Sequence, residues 1–231
     1  MITLKKLVKV YDGLKALDIP ALEISKGESF GLVGNNGAGK TTLFRLILDL
    51  IQPTTGEVLI NGINVAHSEE WKHFTGSYLD EGFLIDFLRP DEYFELTARL
   101  YGLSAGDFDE FRKRFSDFFA GEIFGSKKYI RDLSKGNQKK VGIAAAMMPN
   151  PALLVLDEPF TNLDPTSQIR LKNLLRREQE AKNVTLLVSS HDLNHVTEVC
   201  NRIVVLEKGS VVHDLATGEN TLEVLQAYFA T

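Results

Sequence analysis

The chain of 231 residues has one cysteine, one tryptophan, no surplus of basic residues and no apolar run long enough to span a bilayer. A single thiol, Cys200, excludes an intrachain disulfide. It stands in the apolar run 196–204, where a small buried hydrophobe in a reducing compartment is the expected reading. Lys and Arg number 26 against 31 Asp and Glu, a net charge of −5, which argues against an extended nucleic-acid footprint and leaves room only for a local basic patch. Lys127, Lys128 and Arg131 are too few for such a stripe and read as a solvated face. Met1-Ile2-Thr3-Leu4 enters strand-like sequence at once, without a charged leader, an apolar h-region or a cleavage site. Any membrane role is therefore expected to come through a partner. Hydrophobic residues at 44% and charged ones at 25% are ordinary globular usage, and the length suits one α/β domain with a small inserted lobe.

What is present centres on Gly34-Asn35-Asn36-Gly37-Ala38-Gly39-Lys40-Thr41-Thr42. Phe30-Gly31-Leu32-Val33 before it is short and apolar enough for a buried strand, and Leu43-Phe44-Arg45-Leu46-Ile47-Leu48 after it reads as a helix with little exposed face. Glycines at such a junction let the backbone wrap a phosphate and turn several N–H groups inward. The following helix adds the positive end of its dipole. Lys40 is placed to reach the β- and γ-phosphates, and the Thr41 hydroxyl to ligate Mg²⁺. A glycine turn with a surface lysine would leave three glycines and two threonines without a reason.

Along the chain, 2–11 and 22–25 read as strands, with turns at Asp12-Gly13 and Lys26-Gly27. Tyr11 ends the first of these, either as an exposed ring able to stack on adenine or as a half-buried sheet tyrosine. Glu57-Val58-Leu59-Ile60 followed by Asn61-Gly62 reads as a strand closing on a tight turn, part of the same outer sheet. Trp71, His67 and His73 have no spacing that unites them at a metal. From Pro90 to Arg131 the period turns helical, with Phe108, Phe111, Phe115, Phe118 and Phe119 forming a packing stripe in a compact lobe.

Ser134 is a good N-cap for a helix running to Met148, which stops at Pro149-Asn150-Pro151. Leu153-Leu154-Val155-Leu156 is then a continuous apolar strand of the kind buried on both faces, ending in Asp157-Glu158-Pro159. Two carboxylates at the tip of a buried strand call for a cation or a proton. Alternation along the strand, with Pro159 keeping Glu158 extended, is expected to point them in different directions, one toward metal and the other toward water.

The order of these motifs resembles the ATP-binding subunit of ABC transporters over nearly the whole chain. A Walker A loop runs over 34–41, an LSGGQ-like signature over 133–137, and a Walker B strand over 153–157 with Glu158 after it. A D-loop in Asn162-Leu163-Asp164 and a switch histidine in Ser190-His191-Asp192 complete the series. The implied fold is α/β: a P-loop nucleotidase core with a mainly parallel central sheet, an antiparallel β subdomain and an inserted helical subdomain. One domain over 1–231 is expected, with 1–85 and 150–231 as core and 86–149 as the helical part ending in the signature helix.

In the family two such domains face head to tail around two ATP, so the signature of one completes the Walker A site of the other. By this resemblance Asn35, Asn36, Gly37, Ala38, Gly39, Lys40, Thr41 and Thr42 bind nucleotide, as do Tyr11, Ser134, Gly136 and Asp164. Thr41, Asp157 and Glu81 serve Mg²⁺, and Glu158, His191 and Lys40 are catalytic. Glu158 would orient water, His191 would contact the γ-phosphate, and Asp164 would help communication across the dimer. The implied partners are a separate transmembrane permease and a second copy of the chain or a related ATPase subunit, with no nucleic acid. The implied location is cytoplasmic, peripheral on the inner face of the membrane through the permease.

Three motifs depart from the family pattern. Aligning Tyr78-Leu79-Asp80-Glu81 with the Q-loop puts Glu81 where a glutamine is usual. Lys135 replaces a signature glycine and Asn137 a glutamine, while Ser134 and Gly136 are kept. The D-loop opens Thr161-Asn162. The LSKG form and short tail resemble the ATPases of ABC-2-type bacterial exporters. A rival class is a soluble ABC ATPase acting on nucleic acid or ribosomes, but those resemble two domains in tandem or carry a coiled coil or cysteine-rich insert between Walker A and signature, where this chain has only the phenylalanine-rich lobe. Against a third, a non-hydrolysing regulatory module, stand intact Lys40, Asp157, Glu158 and His191.

Overall fold

A computed structural model of the protein describes residues 1–230. The chain opens with β1 (Ile2–Tyr11) and β2 (Leu14–Ile24), an antiparallel hairpin turning at Asp12 and Gly13, both at positive φ, 48° and 81°. Left-handed residues at both turn positions match the right-handed twist of the flanking strands. The second strand is longer than the expected 22–25. Pairing with β1 carries Leu17 and Ile19 into the core opposite Lys9 and Leu7, overriding the weak strand character of Lys15, Asp18 and Pro20. Pro20 is tolerated because β2 is the edge of its sheet.

After β3 (Ser29–Val33) and α1 (Lys40–Ile47), β4 (Thr55–Ile60) and β5 (Ile63–Asn64) complete a four-stranded antiparallel sheet in the order β2-β1-β4-β5. Then come β6 (Thr75–Tyr78), α2 (Pro90–Leu100), α3 (Ala105–Phe119), α4 (Lys135–Met147) and β7 (Leu153–Leu156). The chain continues through α5 (Pro165–Lys182), β8 (Thr185–Ser190), α6 (Leu193–Val199), β9 (Arg202–Glu207), β10 (Ser210–Ala216) and α7 (Thr221–Phe229). The second sheet has the order β10-β9-β3-β8-β7-β6, parallel throughout except for the β9–β10 pair. The expected α/β class with an antiparallel outer sheet and an inserted helical part is the fold observed.

Side chains alternate along β7, and that alternation divides the core. Leu153 and Val155 join α1 and the antiparallel sheet on one face, while Leu154 and Leu156 join α4, α5 and the helical lobe on the other. The phenylalanine stripe packs as expected, Phe94 lying edge-on to Phe111 at 5.0 Å and Phe119 edge-on to Phe124 at 4.8 Å. Trp71 is buried and donates to the Val65 carbonyl, whereas His67 and His73 are exposed. Cys200 is buried against Gly31. Among the described residues no helix is long and apolar enough to cross a membrane.

Candidate functional site

Parallel pairing of β3, β8 and β7 brings three C-terminal strand ends to one edge, where ligands bind open α/β sheets. β3 delivers the glycine loop, β7 delivers Asp157 and Glu158, and β8 delivers Ser189, Ser190 and then His191. The loop enters α1 at Gly39, whose φ of 108° demands glycine and whose side chain can cap nothing. The N–H groups of the first turn of α1 are thus left without a side-chain cap, at the positive end of the helix. Gly37 has a φ of 82° and no atom within 4 Å of where a Cβ would stand, so the face of the loop is open there. A cleft of about 230 Å³ is bounded by Ala16, residues 36–42 and Glu158.

Lys40 is buried and donates to the Gly34 carbonyl at 2.7 Å, with its ammonium 3.7 Å from Glu158 Oε1. The other oxygen of Glu158 lies 2.9 Å from His191 Nδ1. A carboxylate only accepts, so Nδ1 carries the proton in this pair. Glu158 thus spans Lys40 of the loop and His191. Thr41 Oγ1 donates to Asp157 Oδ2 at 2.5 Å, and the Ser189 hydroxyl donates to Oδ1. Burial pushes the Asp157 carboxyl above its ordinary range, opposed by those two hydrogen bonds. The donor set is a hydroxyl and a buried carboxylate with no lysine or arginine paired to it, hard oxygens of the kind Mg²⁺ takes, so these residues fit the cation.

Glu158 is not extended. Its φ is 47°, left-handed although a proline follows, a conformation costing on the order of 1–3 kcal/mol. Tertiary bonds impose it: the Glu158 N–H donates to Ser189 Oγ at 2.9 Å, and its carbonyl accepts from Lys139 Nζ at 2.7 Å and from Thr161 Oγ1 at 2.8 Å. The extended conformation expected of Glu158 is thus overturned, and the two carboxylates take different partners, Asp157 the Thr41 and Ser189 hydroxyls and Glu158 the Lys40 ammonium and His191.

Other expected site residues stand apart from the cleft. Asn35 begins the loop exposed, next to it. Tyr11 is exposed at 43%, with the Lys9 ammonium 4.9 Å from its ring centre, and does not line the cleft. Ser134 is the N-cap of α4, accepting from the Asn137 N–H, and Gly136 packs on the Asn162 carbonyl; neither borders the cleft. Asp164 caps α5 through Ser167, whose hydrogen bonds hold its carboxyl below the usual range. Glu81, in a single 3₁₀ turn, accepts the Tyr78 hydroxyl at 3.0 Å and is not among the lining residues. Ser189, Lys139 and Ala16 carry no motif in the sequence, and Thr161 stands out there only as the start of the D-loop. Ser189 had a signal, standing at the end of an apolar run beside Ser190-His191; Ala16 had none.

The family described as "ABC transporter" matches residues 17–161, and the chain belongs to it as an ATP-binding cassette. Of curated relatives, the methionine import ATP-binding protein MetN of Carboxydothermus hydrogenoformans is 32% identical over 93% of this chain, which spans 66% of that protein. The ABC transporter ATP-binding protein NatA of Bacillus subtilis is 34% identical over 87% of this chain and 81% of its own. A solved ATP-binding subunit of an ABC transporter superposes with a TM-score of 0.87 at 27% identity, covering 100% of both chains. A dimeric ATP-binding cassette in a post-hydrolysis state with ADP and Pi gives 0.84 at 26%, over 95% of this chain and 100% of that one.

Proposed function

We propose that this chain is the ATP-hydrolysing subunit of an exporter, binding Mg-ATP at the Walker A cleft, dimerising head to tail and driving a separate membrane permease. The observation that carries the reading is Glu158 spanning Lys40 and His191 beside the Thr41–Asp157 pair. Asn35, Asn36, Gly37, Ala38, Gly39 and Thr42 offer backbone and side-chain donors to the phosphates, with Lys40 as their counter-charge, and Tyr11 stacks the base. Thr41 and Asp157 would hold Mg²⁺, with Glu81 reaching its water shell. When bound, the ion would supply neutralisation of phosphate charge. Glu158 orients the attacking water and His191 steadies both it and the γ-phosphate. Little covalent chemistry is asked of the protein, because phosphoryl transfer is mainly positioning and electrostatics.

Ser134 and Gly136 stand away from this cleft in their own chain, so they are read as serving the cleft of a second copy, with Asp164 at the same seam. The lobe over 86–149 carries them as a unit. The chain would lie on the cytoplasmic face of the membrane through the permease. Export rests on the Lys135 form of the signature, and a relative named for import makes direction the point to test. The experiment is capture by tagged Glu158→Gln with ATP from detergent-solubilised host membranes, followed by flux in vesicles rebuilt with what co-purifies. A multi-span membrane protein and outward flux are expected. Ribosomal or DNA-associated partners in its place would overturn the transport reading, and inward flux the direction.

A further inference from the structure

We infer that Lys139, on the signature helix, is a positioning residue that holds Glu158 in its working conformation; the inference rests on reading Glu158 as the group that orients water. Lys139 is buried at 4% exposure, which is unusual for an ammonium, and its Nζ has two specific partners on one loop. It donates to the Glu158 carbonyl at 2.7 Å and to Thr161 Oγ1 at 2.6 Å, while that hydroxyl donates to the same carbonyl at 2.8 Å. The three groups close a triangle beneath Glu158.

The segment they grip is strained at both ends. Glu158 has a φ of 47° and Asn162 one of 62°, and Glu158 precedes a proline, which disfavours its conformation further. A strained residue keeps its conformation only where its surroundings over-determine it. Here both backbone groups of Glu158 are taken, the N–H by the Ser189 hydroxyl and the carbonyl by Lys139 Nζ and by the hydroxyl and N–H of Thr161. One turn earlier on the same helix face, Gly136 leaves no room for a side chain, since a Cβ there would stand 2.6 Å from the Asn162 carbonyl. Gly136 and Lys139 together fasten α4 to residues 158–162, so a tilt of the signature helix pulls directly on the backbone that aims the Glu158 carboxylate.

Charge supports the placement. Burial pushes the Lys139 pKa down, while Glu81, Glu158, Asp157 and Asp80 oppose this. A neutral donor would serve the carbonyl alone. The ammonium also answers the acidic ends of β6 and β7.

The test is steady-state ATPase and Mg-ATP affinity of Lys139→Met, alone and combined with Glu158→Gln, with thermal melts to establish folding. In the otherwise native chain, kcat is expected to fall about tenfold to hundredfold, as for a sub-ångström to one-ångström misplacement, with KM and affinity held within about twofold. In the Glu158→Gln background the same change is expected to cost nothing more. An equal loss in both backgrounds, or native kcat in Lys139→Met, overturns the inference and leaves the role of Glu158 standing. Native turnover in Glu158→Gln alone instead removes the reading of Glu158 and the inference with it. If Lys139→Met does not fold, Thr161→Val carries the test. It removes the hydroxyl of the triangle at a half-buried position, and the same kcat-selective, Glu158-dependent loss is expected.

Discussion

The Thr41 hydroxyl donates to Asp157 Oδ2 at 2.5 Å, joining the first turn of α1 to the end of β7. The contact crosses 116 residues of sequence and ties the phosphate loop to the buried carboxylate. A buried carboxylate there is costly without a cation, and the Thr41 and Ser189 hydroxyls offset part of that cost.

Asp157→Asn therefore separates stability from binding. Burial raises the folded-state pKa of Asp157 above the unfolded value, so the folded protein binds its proton more readily than the unfolded chain. The stability this contributes is present at low pH and lost as pH rises through the folded pKa. Near pH 7, without nucleotide, Asp157→Asn is expected to melt higher than the native chain, and the gap to close as pH falls into the carboxylate range. Mg-ATP is expected to reverse the order, because the amide no longer answers the cation. Melting curves across pH, with and without Mg-ATP, check both.

Glu158→Gln keeps the shape of the side chain and removes its charge. It is expected to bind Mg-ATP, to hydrolyse it about 10²–10⁴-fold more slowly, and to accumulate as a dimer. Single-turnover hydrolysis and size-exclusion chromatography in ATP give the result. A variant that keeps native turnover refutes the assignment.

Glu81→Ala removes the acceptor of the Tyr78 hydroxyl and a neighbour of Lys139. Substrate flux in permease-containing vesicles is expected to fall more than the ATPase rate of the isolated chain. Equal losses in both would assign Glu81 to the metal site alone.

Gly76→Ala tests packing away from the chemistry. A Cβ on β6 would stand 2.0 Å from the Ala146 carbonyl of α4 and 3.0 Å from Pro151, with backbone on one side and a ring on the other. Overpacking of this kind costs about 1–3 kcal/mol, and the upper end is expected because a carbonyl cannot rotate away. Urea unfolding measures it, with ATP affinity of the folded fraction unchanged.

Cys200 is fully enclosed, and burial pushes its thiol well above the ordinary range. A colorimetric thiol reagent is expected to find no reactive group in the folded protein and one in denaturant. Rapid labelling of the native chain would contradict the packing of α6 on β3.

The local chemistry of the site was legible in the sequence because each motif is contiguous. Glycines before Lys40-Thr41, the apolar run into Asp157-Glu158, the N-cap Ser134 and the phenylalanine spacing each declare a local conformation and chemistry through residue type and period. The hairpin strand from Leu14 was not legible, since its residues become a strand only by pairing with β1. The conformation of Glu158 was beyond sequence reasoning for a stronger reason. Local preference before a proline is extended; the turn closed by Thr161 N–H and Oγ1 on the Glu158 carbonyl is joined by Ser189 from β8 and Lys139 from α4, and these long-range bonds hold it left-handed. The sequence by itself determined which groups are available to meet phosphate, metal and water. Tertiary structure alone decided where the Glu158 carboxylate points, because its aim depends on bonds between segments as many as 31 residues apart, which no local pattern encodes.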